Sequence, residues 1–257
     1  MIESGGGRVD RIEGGESGSP DPALPRHVAI IMDGNRRWAR QHGQGAIMGH
    51  RAGVESVRAS VRTCRELGIG VLTLYAFSTE NWKRPPLEVN GLWQLVLEVL
   101  RHDLPELMAQ GVRVRVIGMR ERLPMAVREA VRKAESMTAA NDRMVLVLAL
   151  NYGARQEIVQ AVRSIGRMVQ QGRLDPEAID EAAFSSALST VGIPDPDLVI
   201  RTSGELRVSN FLLWQIAYSE FFVTSTPWPE FGREEFLRAM DAYRARERRF
   251  GGSGEAR

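Results

Sequence analysis

Three short segments combine arginines with carboxylates and glycines, residue types that together suit the binding of phosphate. They are DGNRRW (residues 33–38), STENWKR (residues 78–84) and RTSGELRVS (residues 201–209). Arginine presents a planar fork of N–H donors to phosphate oxygens, and glycine lets backbone N–H groups approach an anion. One such segment alone would be read as a solvated loop with surface ion pairs. Three of them in one chain predict a site for a phosphorylated ligand.

The carboxylates in these segments favour a divalent cation. Asp33, Glu80 and Glu205 lie among five arginines, namely Arg36, Arg37, Arg84, Arg201 and Arg207. Mg²⁺ usually takes one or two carboxylates together with phosphate oxygens of a substrate. These residues therefore predict a Mg²⁺-dependent enzyme acting on a phosphorylated ligand, and they leave the reaction open.

Composition and missing motifs exclude several other classes of protein. The chain has neither a GxxxxGK[ST] phosphate loop nor a GxGxxG fingerprint after a strand. A formal net charge of +2 argues against a broad basic face for nucleic acid. The single Cys64 and four histidines at no close spacing argue against a disulfide or a zinc site. The longest apolar run, residues 144–150, is far shorter than the roughly 20 residues of a membrane span, and no signal peptide is apparent, so we expect a cytoplasmic protein.

Apolar runs typical of strands alternate with amphipathic segments typical of helices. Strands are predicted at residues 28–32, 69–77, 112–117, 144–151 and 197–200, and helices at residues 49–67, 88–109, 124–140, 155–170, 177–189 and 232–247. This alternation predicts an α/β fold, a single domain with a mostly parallel central sheet flanked by helices. The arginine-rich segments each follow a strand, at the edge where open parallel sheets bind ligands.

The ends of the chain differ in composition from its middle. Residues 1–24 are rich in Gly, Ser, Glu and Pro and are predicted to form a disordered tail. Residues 25–252 are predicted to form the folded domain, and residues 253–257 a short C-terminal tail. The predicted helix at 88–109 is apolar on more than one face and contains Pro105. It is interpreted either as a kinked core helix or as a helix that also lines an apolar tunnel between sheet and helices.

Four longer motifs resemble the cis-prenyltransferase family, most closely the bacterial undecaprenyl diphosphate synthases. They are HVAIIMDGNRRWAR (residues 27–40), GHRAG (residues 49–53), LTLYAFSTENWKRP (residues 72–85) and the segment from DLVIRTSGELR to TPWPEF (residues 197–231). The resemblance extends over nearly the whole predicted domain. It implies that isopentenyl units are added with cis double bonds to an allylic diphosphate, with farnesyl diphosphate as the expected primer and a long polyprenyl diphosphate as product.

The resemblance also implies roles for individual residues. Asp33 would bind Mg²⁺, with Glu220 as a second metal ligand, and Asn81 would assist removal of a proton. The allylic diphosphate would be bound by Gly34, Asn35, Arg36, Arg37, Trp38, His50, Ser78, Thr79, Glu80, Trp82 and Arg84. The isopentenyl diphosphate would be bound by Arg201, Arg207, Val208 and Ser209. Glu205 is expected to orient Arg201.

The resemblance further implies an assembly and a partner. In the tail motif RRFGG, Arg249 and Gly251 would reach the phosphate site of a second subunit, and the apolar stretch at residues 210–223 is interpreted as the interface of a homodimer. Peripheral contact with a membrane would serve product release. Small Ala76 would leave the upper tunnel open, while Leu150 rather than the flexible Met144 would obstruct its far end.

Two alternatives and three departures from the family pattern stay open at this point. The same chemistry could stop at a short or medium chain, or the chain could be a non-catalytic subunit, although such a subunit should have lost the residues that are retained here. Ala46 stands where many relatives carry an arginine, Leu206 where some carry a polar residue, and NYGA (residues 151–154) replaces the commoner NYGG.

Overall fold

The computed structural model describes residues 23–246, and its six strands there form one sheet. They are β1 (His27–Ile31), β2 (Val71–Ser78), β3 (Val112–Ile117), β4 (Met144–Tyr152), β5 (Leu198–Arg201) and β6 (Glu220–Val223). The order across the sheet is β3-β4-β2-β1-β5-β6, and every neighbouring pair is parallel. The predicted α/β class and parallel sheet are confirmed.

Seven α-helices connect these strands within the described residues. They are α1 (Asn35–Gln41), α2 (Ala46–Leu67), α3 (Pro86–Ala109), α4 (Met125–Met137), α5 (Ala154–Gln170), α6 (Glu181–Ser186) and α7 (Arg233–Arg244). None of these helices has the length and apolar character needed to cross a membrane. The N-terminal tail was predicted to extend to residue 24, but Leu24 packs in the core. Residues 1–22, the 253–257 tail, Arg249 and Gly251 lie outside the described residues.

The two faces of the sheet are packed against different elements. Because side chains alternate along a strand, Val28 and Ile30 face one side of the sheet, while Ala29 and Ile31 face the other. The first side packs with residues of α2 and α7, such as Val61 and Phe236. The second packs against the start of α5 and residues 211–216. Covering on both faces explains why the strands are almost continuously apolar.

Three elements differ from the sequence prediction, and the first is helix α1, which forms at Asn35–Gln41 where no helix was predicted. Residues 177–189 were predicted as one helix, whereas the chain forms a 3-10 turn at Pro176–Ala178 followed by the short α6. The side chains of Asp175 and Asp180 each cap one of these pieces, by accepting from Glu177 N and Ala183 N respectively. Strand β6 was not predicted at all, because its EFFV sequence lies inside the longer apolar stretch at residues 210–223.

Candidate active site

Strands β1 and β5 are neighbours whose carboxyl ends open at one edge of the sheet. From β1 the chain crosses to β2 on one side, and β5 pairs with β1 on the other. Such a switch point leaves a crevice beyond the strand ends, where open α/β sheets bind ligands. Two arginine-rich segments, the one following β1 and the one at the end of β5, meet there.

Asp33 and Arg201 form the centre of this crevice. The Nε and Nη2 atoms of Arg201 lie 2.9 and 2.6 Å from Oδ2 of Asp33. The Asp33 backbone is also fixed, because its carbonyl oxygen accepts from the Thr202 hydroxyl at 2.7 Å and from Trp228 N at 2.9 Å. The Arg201 side chain is 3% exposed and that of Asp33 is 35% exposed. A buried cation is thus paired with a carboxylate that solvent can reach.

Glu205 joins two other arginines of the crevice. One carboxylate oxygen accepts from Arg37 Nη2 at 3.0 Å, and the other accepts from Arg207 Nη1 at 2.5 Å. Arg207, and then Arg37, hold the pKa of the Glu205 carboxyl below its usual range. The expectation that Glu205 orients Arg201 is wrong, because the partners of Arg201 are Asp33 and the carbonyl oxygen of Arg207.

The position of helix α1 depends on two glycines, at which neighbouring segments of the chain approach closely. Gly34 has φ of +104°, and a Cβ there would lie 2.8 Å from Ser203 Oγ. A Cβ at Gly49 would lie 1.9 Å from the carbonyl oxygen of Asn35. These positions require glycine, since any side chain would separate the loop after β1 from β5 or α1 from α2. The contact brings His50 of α2 close to Arg36 of α1.

The segment after β2 forms a 3-10 turn, Thr79–Lys83, held by a capping box. Asn81 Oδ1 accepts from Ser78 N at 3.0 Å. Trp82 Nε1 donates at 2.8 Å to Oδ1 of Asn151, which adopts a left-handed backbone with φ of 50°. Because the side-chain oxygen Oδ1 of Asn81 is engaged in the cap, the side-chain NH₂ group of Asn81 is the part that remains to contact a ligand.

A further cationic group lies between α1, α2 and the start of α3. Arg84 Nη1 lies 3.4 Å from His50 Nε2 and 3.1 Å from Glu88 Oε1, and Arg36 Nε lies 3.7 Å from the same glutamate oxygen. Burial, together with the charges of Arg84 and Arg36, lowers the pKa of His50 to about 4. His50 is therefore neutral near pH 7, so it can accept one hydrogen bond and donate another.

These groups border a cavity of about 560 Å³ that is polar at one end and apolar at the other. The predicted site residues that line it are Asp33, Asn35, His50, Ser78, Glu80, Asn81, Arg84, Arg201, Arg207 and Ser209. Its apolar walls come from α2, α3, β2 and β4, and include Val54, Val57, Ala76, Leu92, Leu95, Val96, Val99 and Leu148. Helix α3 thus has one side in the core and another on the cavity, which favours the second interpretation of its broad apolar surface.

A second, small cavity of about 60 Å³ lies beyond the apolar end. The two cavities share Val57, Val99, Leu100 and Leu148 as lining residues. The second is also lined by Leu107, Val114 and Leu146, near the amino ends of β3 and β4. The apolar path along α3 from Leu92 to Leu107 is about 22 Å long at 1.5 Å per residue.

The far end of the path differs from the expectation. Leu150 lines the first cavity and lies next to Asn151, so it is close to the polar end. Met144, at the amino end of β4, is fully buried and lines neither cavity. The expectation that Leu150 closes the far end is therefore wrong, because parallel strands point their carboxyl ends towards the polar site.

Several predicted residues lie outside the cavity lining. Gly34, Arg36, Arg37, Trp38, Thr79, Trp82 and Val208 surround it, and Trp38 stacks on His42 with ring centroids 4.0 Å apart. Glu220 lies elsewhere, at the amino end of β6, where its carboxylate accepts from Arg246 at 2.5 Å. It pairs in register with Leu198, three residues before Arg201, or about 10 Å from it along the strand. The structure does not bring Glu220 to Asp33 within one chain.

Sequence reasoning missed some residues that shape the site. Tyr75 lines the cavity and donates to the carbonyl oxygens of Tyr152 and Ser209 at 3.2 and 3.3 Å. Asn210 also lines it, and its amide donates to Glu80 at 3.0 Å. Ser209, Asn210 and Leu212 all have positive φ. Such strained backbone is frequent at functional sites, and asparagine beside a serine of the motif is the signal that could have indicated it.

The carboxylate of Asp33 could ligate a metal ion that binds together with its substrate. Both hydrogen bonds from Arg201 go to Oδ2, so among the described residues Oδ1 of Asp33 accepts none. No cluster of three or more His, Cys, Asp or Glu side chains suited to a metal occurs in residues 23–246. One carboxylate with phosphate oxygens and water is a donor set that Mg²⁺ accepts.

Comparison with known proteins agrees with this geometry. A family model described as "Putative undecaprenyl diphosphate synthase" matches residues 31–251. The chain is 55% identical over 229 residues to an isoprenyl transferase of Heliobacterium mobile, covering 89% of this chain and 88% of the relative.

Two solved structures share the fold. A lavandulyl diphosphate synthase from Lavandula x intermedia, solved with dimethylallyl diphosphate, has a TM-score of 0.88 and 41% identity, covering 90% of this chain and 100% of its own. A probable undecaprenyl diphosphate synthase from Campylobacter jejuni has a TM-score of 0.73 and 35% identity, covering 88% and 98%. The neighbours thus include an enzyme named for a short product and one named for a long product.

Proposed function

The chain belongs to the undecaprenyl diphosphate synthase family of isoprenyl transferases, and on that premise we propose that it extends an allylic diphosphate with isopentenyl diphosphate to a long cis-polyprenyl diphosphate. The observation that carries the proposal is the junction of an arginine-lined crevice with an apolar cavity. The crevice suits two diphosphates and the cavity suits a hydrocarbon chain. Farnesyl diphosphate is the primer we propose, and undecaprenyl diphosphate the product.

The arginines of the crevice divide between the two diphosphates. Arg36, Arg37 and Arg84, with neutral His50, bind the allylic diphosphate, while Arg201, Arg207 and Ser209 bind the isopentenyl diphosphate. When the allylic C–O bond breaks, the diphosphate leaves with the electron pair, and fixed guanidinium groups stabilise its growing charge. The isopentenyl double bond then forms the new C–C bond.

A proton leaves the isopentenyl unit to complete the reaction. Asn81 lines the cavity, and its carbonyl oxygen is held by Ser78 N. Its amide therefore donates to the water or phosphate oxygen that takes the proton, since an amide has no basic atom of its own. The apolar walls exclude other water from the cation.

Asp33 is the residue that we propose to hold Mg²⁺. The ion, when bound together with substrate, supplies charge stabilisation to the departing diphosphate. Arg201 can then stay on Oδ2 of Asp33, because both of its hydrogen bonds to Asp33 end on that oxygen and Oδ1 remains for the ion.

The apolar cavity supports a long product. Each CH₂ group removed from water stabilises the bound chain by about 0.8 kcal/mol. The path continues past the first cavity into the second, so the walls extend beyond the length that one added unit needs. A short product is the second candidate, favoured by the similarity to the lavandulyl diphosphate synthase structure.

We further propose a homodimer, a cytoplasmic location and transient contact with a membrane during product release. Residues 210–223 offer less surface for an interface than expected, because Phe211 and Leu212 are buried in the chain's own core. What remains in support is exposed Tyr218 and the half-buried aromatic side chains of edge strand β6.

Incorporation of radiolabelled isopentenyl diphosphate tests the function. The purified protein is incubated with farnesyl diphosphate and Mg²⁺, and the products are separated by chain length on reversed-phase chromatography. We expect products of about eleven isoprene units, as the family resemblance implies, because the apolar path retains each intermediate. Products of one or two added units would establish the short-chain function instead, and no incorporation would refute both.

A further inference from the structure

Glu88 carries a buried carboxylate whose partners are both arginines of the diphosphate crevice. Its side chain is 9% exposed and lies in the first turn of α3. One oxygen, Oε1, is 3.1 Å from Arg84 Nη1 and 3.7 Å from Arg36 Nε. Arg36 comes from α1 and Arg84 from the residues before α3, so a single carboxylate oxygen joins two segments of the site.

The carboxylate lies behind Arg84 rather than in the cavity. Arg84 and His50 line the cavity, whereas Glu88 does not. A ligand in the cavity would therefore meet the Arg84 guanidinium first, with Glu88 on its far side. Because His50 is neutral at pH 7, the group consists of two cations and one anion and keeps a positive charge towards the cavity.

Glu88 also connects the diphosphate crevice to the wall of the apolar cavity. On α3, Leu92 and Leu95 follow it at spacings of four and seven residues, which places them on the same face of the helix. Both line the cavity. The ion pairs of Glu88 with Arg84 and Arg36 therefore fix the first turn of α3, where this wall begins, relative to α1.

We propose that Glu88 is a positioning residue for the allylic diphosphate, an inference that rests on the proposed function. Two unpaired guanidinium groups would repel each other and move apart, and each long side chain would lose rotamer entropy on binding. Glu88 offsets the repulsion and holds both groups before the ligand arrives. Arg36, the more distant and more exposed partner, turns to the phosphate on binding, while Arg84 stays on Glu88.

Direct binding of an unreactive allylic analogue tests this role. The probe is farnesyl S-thiolodiphosphate, measured by calorimetry with the wild type, Glu88→Gln and Glu88→Asp. Glu88→Gln keeps the shape but removes the charge, and we expect it to raise the Kd about tenfold, with Glu88→Asp intermediate because it restores the charge at a shorter reach. The KM for isopentenyl diphosphate should change less than twofold.

Glu98→Gln is the matched control. Glu98 lies on the same helix and accepts two hydrogen bonds from Arg51, but it is exposed and lies away from the cavity. It should leave the Kd of the probe unchanged. A carboxylate that only stabilises the start of α3 would, when replaced, lower the melting temperature without changing the Kd, and that result would overturn the proposal.

Three other outcomes are decisive. Tighter binding of the probe by Glu88→Gln would mean that Glu88 competes with phosphate for the arginines, which also overturns the proposal. If the wild type neither binds the probe nor incorporates isopentenyl units, the proposed function fails first. If the wild type does both and Glu88→Gln matches it, only the role of Glu88 fails.

Discussion

Arg201 is a buried cation that depends on an acidic partner. In the ligand-free protein that partner is Asp33, the residue expected to hold the metal. A buried guanidinium without its carboxylate carries an uncompensated charge, which is strongly destabilising. We therefore expect Asp33 to have two tasks, one in the resting protein and one in catalysis.

Asp33→Asn separates these tasks from simple loss of packing, because it keeps the shape of the side chain. We expect kcat to fall by a factor of roughly 10³ or more, since charge stabilisation acts on the leaving group in the transition state. The free energy of unfolding should also fall, by about 1–3 kcal/mol, because Arg201 loses its charged acceptor. Radiolabel turnover and urea denaturation measure the two effects. Near-normal turnover would contradict the metal assignment, and unchanged stability would contradict the structural one.

His27 should make the fold sensitive to acid. Its ring is buried, Nδ1 lies 2.7 Å from the carbonyl oxygen of Pro194, and burial lowers its pKa to about 4 despite nearby Asp197. Above pH 6.5 the ring is neutral whether the chain is folded or unfolded. Between pH 6.5 and 4 the His27 ring becomes protonated in the unfolded chain but stays neutral in the folded chain. The free energy of unfolding therefore decreases by up to about 3 kcal/mol as pH falls.

Urea denaturation at several pH values checks this expectation. His27→Asn should be less stable than the wild type at pH 7.5 but should lose less stability between pH 6.5 and 4.5. His42→Asn, at an exposed position, is the control and should keep the slope of the wild type. An unchanged slope in His27→Asn would mean that other groups cause the acid sensitivity.

The residues predictable from sequence were those with a chemical type and a motif. Asp33, Arg84 and Arg201 belong to polar segments after strands, His50 belongs to the GHRAG motif, and the structure brings all four to one cavity. Glu88 could not be recognised in this way, because an acidic residue in a helical first turn is ordinary and a pair with Arg84 four residues earlier is common on a helix. Its second partner, Arg36, comes from α1, and sequence does not show that contact. Glu205 was recognised but given the wrong partner, since sequence does not show which of several nearby arginines an acid reaches.

At the scale of elements, α3 and β2 face each other across the apolar cavity. Ala76 of β2 lines the cavity two residues before the polar segment begins. Ala76→Leu should shorten the product while leaving the first condensation largely intact, because added bulk obstructs passage of the chain rather than binding of diphosphate. Product length by chromatography measures the effect. Ala130→Leu is the control, because Ala130 packs on the same cluster but lines neither cavity; equal shortening in both variants would contradict the role of the wall.

Helices α2 and α3 are joined by two ion pairs of similar geometry and different burial. Arg58 forms two hydrogen bonds with Asp103, at 3.0 and 2.8 Å, and Asp103 is 9% exposed. Arg51 forms two with Glu98 on the open surface, at 2.7 and 2.9 Å. Because water screens exposed pairs, only the first should stabilise the helix contact.

Double-mutant cycles on urea stability compare the two pairs. For Arg58→Met with Asp103→Asn we expect a coupling free energy of about 1–2 kcal/mol. For Arg51→Met with Glu98→Gln we expect no measurable coupling. Equal coupling in both cycles would show that burial does not distinguish these pairs.

Element prediction succeeded where a single period dominated. Strands β1, β2 and β4 and the long helices α2 and α3 have unbroken patterns, and the structure has them close to the predicted bounds. Strand β6 has four residues within a longer apolar stretch. Its formation depends on pairing with β5, a contact that local sequence does not contain.

At the scale of the whole molecule, Glu220 and Asp33 lie towards opposite ends of the strands. Their separation allows Glu220 to serve a metal at Asp33 only across a subunit interface. We therefore expect a homodimer by light scattering at micromolar concentration. A fully active monomer would contradict both the dimer and the shared site.

Mixing two inactive variants tests the shared site more directly. Asp33→Asn and Glu220→Gln are denatured together and refolded, so that mixed dimers form. If Glu220 acts across the interface, one of the two sites in each mixed dimer is intact, and roughly a quarter of wild-type activity should return. If Glu220 acts within its own chain, the mixture stays as inactive as the variants alone, and if Glu220 has no role at the metal, Glu220→Gln alone keeps its activity.

The apolar cavity also bears on how fast the product can leave the enzyme. On the proposed function, each condensation would add carbon atoms to the part of the chain held by α2, α3, β2 and β4, so the affinity for the intermediate would rise with every turnover. Dissociation becomes slower while the chemical step at the crevice stays the same. An enzyme that works in this way would complete a chain faster than it releases one, and the final product would be its most persistent inhibitor. The rate of the whole cycle would then depend on how fast the surroundings take up the hydrocarbon product.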